Sequence, residues 1–188
     1  MVALGTACPE FRLTDTVSGK VVDRRDLSAS AALLVMFICN HCPFVKHVRA
    51  ELARLGRDYG PRGVAIVAIS SNDAEAYPQD GPEAMKAEAV EAGYSFPYLY
   101  DKTQEVARAF GAVCTPDFFL FGPDGRLAYR GQLDDSRPST RSFAGNAEAV
   151  TGRDLRAALD AVLSGQTVNP AQRPSIGCNV KWRAKAGA

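Results

Sequence analysis

Long apolar runs are missing from this chain. The longest, residues 31–39, covers nine residues, where a membrane-spanning helix needs roughly 20. An excess of charge of one sign is missing too. Lys and Arg number 22 against 21 Asp and Glu, a net of +1, so nothing advertises a nucleic-acid or anionic-membrane partner. The opening Met1-Val2-Ala3-Leu4-Gly5 lacks the basic and long apolar stretches of a secretory signal. A soluble protein of the cytoplasm is the expectation. Cysteine is scarce and odd in number: five residues, Cys8, Cys39, Cys42, Cys114 and Cys178, cannot form a fully paired disulfide framework within one chain. Only Cys39 and Cys42 lie close together, in Cys39-Asn40-His41-Cys42. A zinc site would want a second such pair, and the only histidines are His41 and His47. Neither a metal nor an organic cofactor is therefore expected, and the oligomeric state stays open.

What is present is an ordinary globular composition, 46% apolar and 23% charged over 188 residues, which suits one compact domain. Two short extended pieces, residues 11–14 and 20–23, flank a turn at residues 17–20. Residues 33–38, Leu-Leu-Val-Met-Phe-Ile, are unbroken and apolar, the signature of a strand covered on both faces. After Cys42 the period changes. Pro43 fits a first helical turn, and Phe44, Val45, Val48, Leu52 and Leu55 form one apolar stripe that Gly56 or Gly60 can end. Residues 64–69 read as a second buried strand, 82–92 as a helix closed by Gly93, 96–100 as extended, and 103–110 as a short helix ending at Gly111. Residues 117–121 and 127–130 flank Gly122-Pro123-Asp124-Gly125 and predict an antiparallel hairpin. Residues 131–150 are polar and turn-rich, 152–163 helical, and the last 24 residues wrap over the surface. Strand, helix, strand, helix, then hairpin and helix argue for a mixed α/β sheet.

Cys42 carries the chemistry. It follows a buried strand and precedes a helix that begins with proline, and the first turn of a helix offers free N–H groups and an aligned dipole to an anion. A thiol there ionises below the usual value of about 8.5, the thiolate is the attacking form, and the Cys42 sulfur is expected to be reachable from outside. The competing reading is a small apolar residue packed at a strand end. His41, when protonated, would favour the thiolate further; otherwise it is a solvent-facing loop residue, and Lys46 and His47, one helical turn on, read as surface residues. In Gly131-Gln132-Leu133-Asp134-Asp135-Ser136-Arg137-Pro138, a solvated turn is the default. The alternatives are a cap on the active face or pairing of Asp134 or Asp135 with Arg137. Asp80 and Glu83 show no catalytic spacing.

The apolar strand, the Cys-Pro helix start and Thr115-Pro116-Asp117-Phe118-Phe119-Leu120-Phe121-Gly122-Pro123-Asp124-Gly125 resemble the thioredoxin superfamily. The closer resemblance is to its redoxin branch, which holds alkyl hydroperoxide reductase and thiol-specific antioxidant proteins. Gly5-Thr6-Ala7-Cys8-Pro9-Glu10-Phe11-Arg12-Leu13 resembles the opening Gly-x-x-Ala-Pro-x-Phe-x-Leu of that branch. Cys8 falls at its alanine and reads as a buried structural thiol. The segments at residues 40–47, 114–117 and 174–178 resemble a peroxiredoxin-like, thioredoxin-fold subgroup. The resemblance implies a three-layer α/β/α sandwich around a central mixed sheet, with a redoxin domain over residues 1–165 and an extension over residues 166–188 packing on it. It also implies that Pro116 is the cis-proline facing the active cysteine.

Two registers compete at the cysteines. In thioredoxins the nucleophile follows the strand's phenylalanine by five residues, and Phe37 to Cys42 is five. In that register Cys42 is the nucleophile, Val45 takes the place of the usual second cysteine, and Pro43 keeps its helical position. Cys39 is the first choice for the resolving thiol, followed by Cys114; Cys178 would need the tail to fold back, and an external thiol needs no partner in the chain. Thr115 and Pro116 would offer an extended substrate a hydrogen-bonding edge. The implied activity is thiol–disulfide exchange on protein or small-molecule disulfides, with electrons from a dithiol protein or glutathione. Peroxide reduction is the alternative. Against it, the peroxiredoxin pattern Pro-x-x-x-Thr-x-x-Cys puts Val35 and Cys39 at its proline and threonine when counted back from Cys42, and Ala32 and Met36 when counted back from Cys39. A catalytically silent binding module is the remaining possibility.

Overall fold

The computed structural model describes residues 2–184; Met1 and residues 185–188, the outer ends of the expected domain and extension, lie outside the described residues. In chain order the strands are β1 (Arg12–Asp15), β2 (Val21–Asp23), β3 (Ala32–Phe37), β4 (Val64–Ser70), β5 (Tyr98–Tyr100), β6 (Cys114–Thr115), β7 (Asp117–Phe121), β8 (Leu127–Gly131) and β9 (Cys178–Asn179). The helices are α1 (Pro43–Tyr59), α2 (Pro82–Ala92), α3 (Glu105–Phe110) and α4 (Arg153–Leu163). Seven strands form one mixed sheet in the order β2-β1-β5-β4-β3-β7-β8. Its centre, β3, runs parallel to β4 and antiparallel to β7. Among the described residues no helix is long and apolar enough to cross a membrane.

The unbroken apolar run of β3 makes sense once both faces are followed. Ala32, Leu34, Met36 and Ile38 join one core with α1, α2 and α4, while Leu33, Val35 and Phe37 join a second core with α3 and the N-terminal segment. Successive side chains of a strand point to opposite faces, so a strand covered on both sides must be apolar at every position. Phe118 and Leu120 against Phe119 and Phe121 repeat the division on β7. The expected α/β/α sandwich is the observed one.

Two local expectations change. The short helix starts at Glu105 rather than Thr103, because Gln104 takes a left-handed conformation, φ 64°, which no helix continues through. The tail does more than wrap the surface: β9 pairs antiparallel with β6, Thr115 opposite Cys178 and Cys114 opposite Asn179. These strands are two residues long and carry no periodicity for a sequence to display.

Candidate active site

Phe37 ends β3 and the chain turns through residues 38–42 into α1. Cys42 is the residue immediately before the helix, extended at φ −66° and ψ 122°, with Pro43 in the first turn. No side chain caps this end and the first turn holds no acidic residue, so the free N–H groups and the dipole are left to whatever sulfur lies there. The groups that favour the thiolate at Cys42 are, largest first, the Cys39 thiol, the Cys178 thiol, and the backbone N–H groups of Val45 and Cys178. The Cys39 thiol is the largest influence; burial opposes the group, and the balance lowers the Cys42 pKa to about 5. In its thiol form Cys42 donates to the Thr115 carbonyl oxygen at 3.1 Å, a bond that ends on ionisation.

The neighbouring thiols shift the other way. Cys39 is raised far above 9.0, first by its hydrogen bond to Cys42, then by burial and by the Asp80 carboxylate. Its sulfur also lies 3.3 Å from the Thr115 hydroxyl. Cys178 is raised to about 12 by burial and by Cys42. Cys114 is raised to about 12, mainly by burial. Its thiol faces the carbonyls of Pro116 (3.7 Å) and Ser175 (3.9 Å). Cys8 is a buried structural thiol beside Pro9, as expected.

Thr115 and Pro116 stand against the two cysteines, and the Thr115–Pro116 bond is cis, as the resemblance implied. Two features differ from expectation. Cys42 is 0% exposed, whereas a nucleophile reachable from outside was expected. The hydrogen-bonding edge expected to be free for substrate is occupied by β9. Both follow from one cause, the return of the tail across the site.

Asp80 is the functional residue that the sequence did not reveal. Fully buried, it accepts hydrogen bonds from the backbone N–H groups of Asn40 (2.9 Å) and His41 (3.2 Å), from the Asn72 amide (2.8 Å), and contacts the His41 ring nitrogen. Thus His41 is turned toward Asp80 and stacked on Tyr77 at 5.3 Å; it neither faces solvent freely nor ranks among the main influences on Cys42. Cys39, His41 and Asp80 present ligand atoms within 4.8 Å of one another. Both Asp80 oxygens are already engaged as acceptors, however, so the trio acts as a loop clamp rather than a vacant metal cage. Asp80 lies 40 residues beyond Asn40 and 39 beyond His41 in the chain, and nothing in their types signals the contact. The polar segment 131–138 is likewise no solvated turn. Asp134 is buried and accepts from the N–H groups of Ser136, Thr151 and Gly152, Asp135 pairs with Arg153 and Arg173, and Arg137 binds the carbonyls of Asp134 and Ser136.

A central strand, a cysteine at a helix start and a cis Thr115–Pro116 bond belong to a thioredoxin fold. A model of the AhpC/TSA family matches residues 4–130, and the chain belongs to that family. It is 24% identical over 124 residues to the thiol-disulfide oxidoreductase ResA of Bacillus thuringiensis, covering 66% of each. It is 26% identical over 125 residues to the thiol:disulfide interchange protein DsbE of Allochromatium vinosum, covering 65% of this chain and 62% of that protein. The match thus spans about two thirds of the length of these curated relatives. An uncharacterized conserved protein from Geobacillus kaustophilus superposes with a TM-score of 0.94 at 57% identity, covering 99% of this chain and 95% of that one. A putative DsbE from Chlorobium tepidum superposes at 0.65 with 19% identity, covering 87% and 99%, which is likeness of fold.

Proposed function

We propose that this protein performs thiol–disulfide exchange with Cys42 as nucleophile. The observation that carries the reading is the place of Cys42 at the uncapped start of α1 against Thr115, next to the cis Thr115–Pro116 bond, a setting that favours the thiolate at neutral pH. That thiolate attacks one sulfur of a protein or small-molecule disulfide, forms a mixed disulfide and releases the other half as a thiolate. A second thiol then displaces the product, and the two thiols that touch the Cys42 sulfur are Cys39 and Cys178. A dithiol protein or glutathione returns the two electrons. No metal or organic cofactor takes part, and the reducing cytoplasm is the proposed setting.

Peroxide reduction is the second reading, and membership of the AhpC/TSA family favours it. Cys39 stands where the peroxiredoxin pattern has threonine, and no guanidinium is among the main influences on Cys42. The two readings separate on mixing the reduced protein with hydrogen peroxide or with a model disulfide under stopped flow. Faster reaction with the disulfide, abolished by Cys42→Ser, is expected. A disulfide rate that survives Cys42→Ser refutes the assignment of the nucleophile.

A further inference from the structure

The tail that covers Cys42 is latched on both sides of the site. Before it, the Gln132 N–H donates to the Arg173 carbonyl (2.9 Å) and the Ser175 hydroxyl to the Gly131 carbonyl (2.7 Å). After it, the Lys181 N–H donates to the Asn72 side chain (2.8 Å), and the Lys181 carbonyl accepts from Asp73 N–H and from the Gln104 amide, each at 2.9 Å. Asn72 uses its other end on Asp80, so one buried amide joins the clamp of the cysteine loop to the tail. Between the latches the two-residue β9 lies on β6, and the Val180 N–H donates to the Val113 carbonyl at 3.2 Å. There the tail takes the antiparallel, extended position beside Thr115 that an incoming disulfide substrate would take, and it carries a cysteine at the residue opposite Thr115.

Resting on the exchange reading above, we infer that residues 174–181 form a built-in substrate mimic and that Cys178, rather than Cys39, is the thiol that resolves the Cys42 mixed disulfide. An incoming disulfide displaces the central part of the tail, and its return brings Cys178 back against the Cys42 sulfur. Cys178 gives up its proton and attacks the Cys42 sulfur of the mixed disulfide. The Cys42–Cys178 bond forms, the bond to the product breaks, and the product leaves as a thiolate that takes a proton. The substrate disulfide has then gained two electrons and the cysteine pair has lost two.

Three observations favour Cys178 over Cys39. Cys178 is half-buried while Cys39 is 1% exposed, so only Cys178 leaves a disulfide that a reductant can approach. Cys39 sits in a loop whose next two N–H groups are held by Asp80, whereas Cys178 rides on a two-residue strand. The influences of Cys42 on both thiols vanish once it is in a neutral mixed disulfide; Cys178 then keeps its burial, opposed by Lys181, whereas Cys39 keeps its burial and the Asp80 carboxylate, both of which oppose ionisation.

The test treats the reduced full chain and its Cys178→Ser variant with one equivalent of oxidised glutathione, quenches with acid, and maps the linkages by mass spectrometry. The wild type is expected to show a Cys42–Cys178 link without retained glutathione, and Cys178→Ser to lose that link and keep glutathione on Cys42. A Cys39–Cys42 link in either protein, or glutathione retained on wild-type Cys42, overturns the assignment to Cys178 and leaves exchange at Cys42 standing. Cys42 unmodified in both proteins overturns the exchange reading together with this one. The wild-type map is decisive even if the serine variant folds poorly.

Discussion

At Cys42 the contest is between burial, which disfavours any charge, and four hydrogen-bond donors, which favour this one. The donors win, and the consequence reaches beyond reactivity. A thiol whose pKa falls from 9.0 unfolded to about 5 folded stabilises the native state fully above the unfolded value, and that contribution is lost as pH falls through the folded one. Between the two values, the reduced wild type should gain stability over Cys42→Ser on the order of 1 kcal/mol per pH unit. Above 9.0 the Cys42 contribution is constant, while Cys39 and Cys178, raised and present in both proteins, resist the ionisation that unfolding would allow in each. Urea unfolding of both proteins in reductant across this range measures the difference. A difference that stays flat with pH would mean that Cys42 remains a thiol in the folded protein. The sulfur's setting was legible in the residues at one end only. Strand, Cys-Pro and apolar stripe announced the helix start, but Asp80 and Cys178 reach the site through chain reversals that no local spacing records.

Among the elements, α1 and β9 divide the work at this site. Helix α1 supplies the Val45 N–H from its first turn, and its apolar stripe of Phe44, Val45, Val48, Leu52 and Leu55 fixes that turn against the sheet. Strand β9 supplies cover, and its seating depends on Gly177. A Cβ at that residue would lie 2.0 Å from the Thr115 carbonyl oxygen and 2.6 Å from the Thr115 carbonyl carbon, where backbone cannot yield cheaply. Gly177→Ala is therefore expected to lift β9 from β6 while the sheet, which contains neither strand, stays intact. Cys42 should then react faster with iodoacetamide at neutral pH than in the wild type, at a cost of about 1–3 kcal/mol typical of an overpacked contact. An unchanged alkylation rate in a folded Gly177→Ala protein would show that β9 does not govern access. The same strand marks where sequence reading failed: a two-residue strand in a Pro- and Gly-containing tail, paired with another two-residue strand at Cys114–Thr115, has no alternation to detect.

For the whole molecule, periodicity carried most of the architecture. The sheet centre, α1, α2 and the β7–β8 hairpin were legible because continuous apolar runs, a helical stripe and Gly/Pro punctuation each have one physical reading. The polar segment 131–138 was misread for the opposite reason: composition says nothing about whether carboxylates will find buried N–H partners, and Asp134 finds three. The same blindness covers the charge that ties two helices of one layer together. Glu51 on α1 is 2% exposed, and it pairs with Arg156 of α4 at 2.6 Å and Arg54 at 3.0 Å. Arg156 also reaches Asp58 at 2.8 Å and lies over the Tyr59 ring. Removing one partner of a buried pair typically costs 3–5 kcal/mol, because the other charge is left uncompensated. Here the Arg156 side chain is 25% exposed and keeps Asp58, so Glu51→Gln should cost less, about 2 kcal/mol, and lower the melting temperature by roughly 4–8 °C. Because Glu51 faces α4 and not the cysteines, exchange at Cys42 should proceed at the wild-type rate wherever the variant is folded. Calorimetry alongside the model-disulfide assay reads both quantities. An unshifted melt would mean the pair only breaks even against its desolvation, and a slowed exchange would mean that the α1–α4 contact positions Cys42 as well as holding the sandwich.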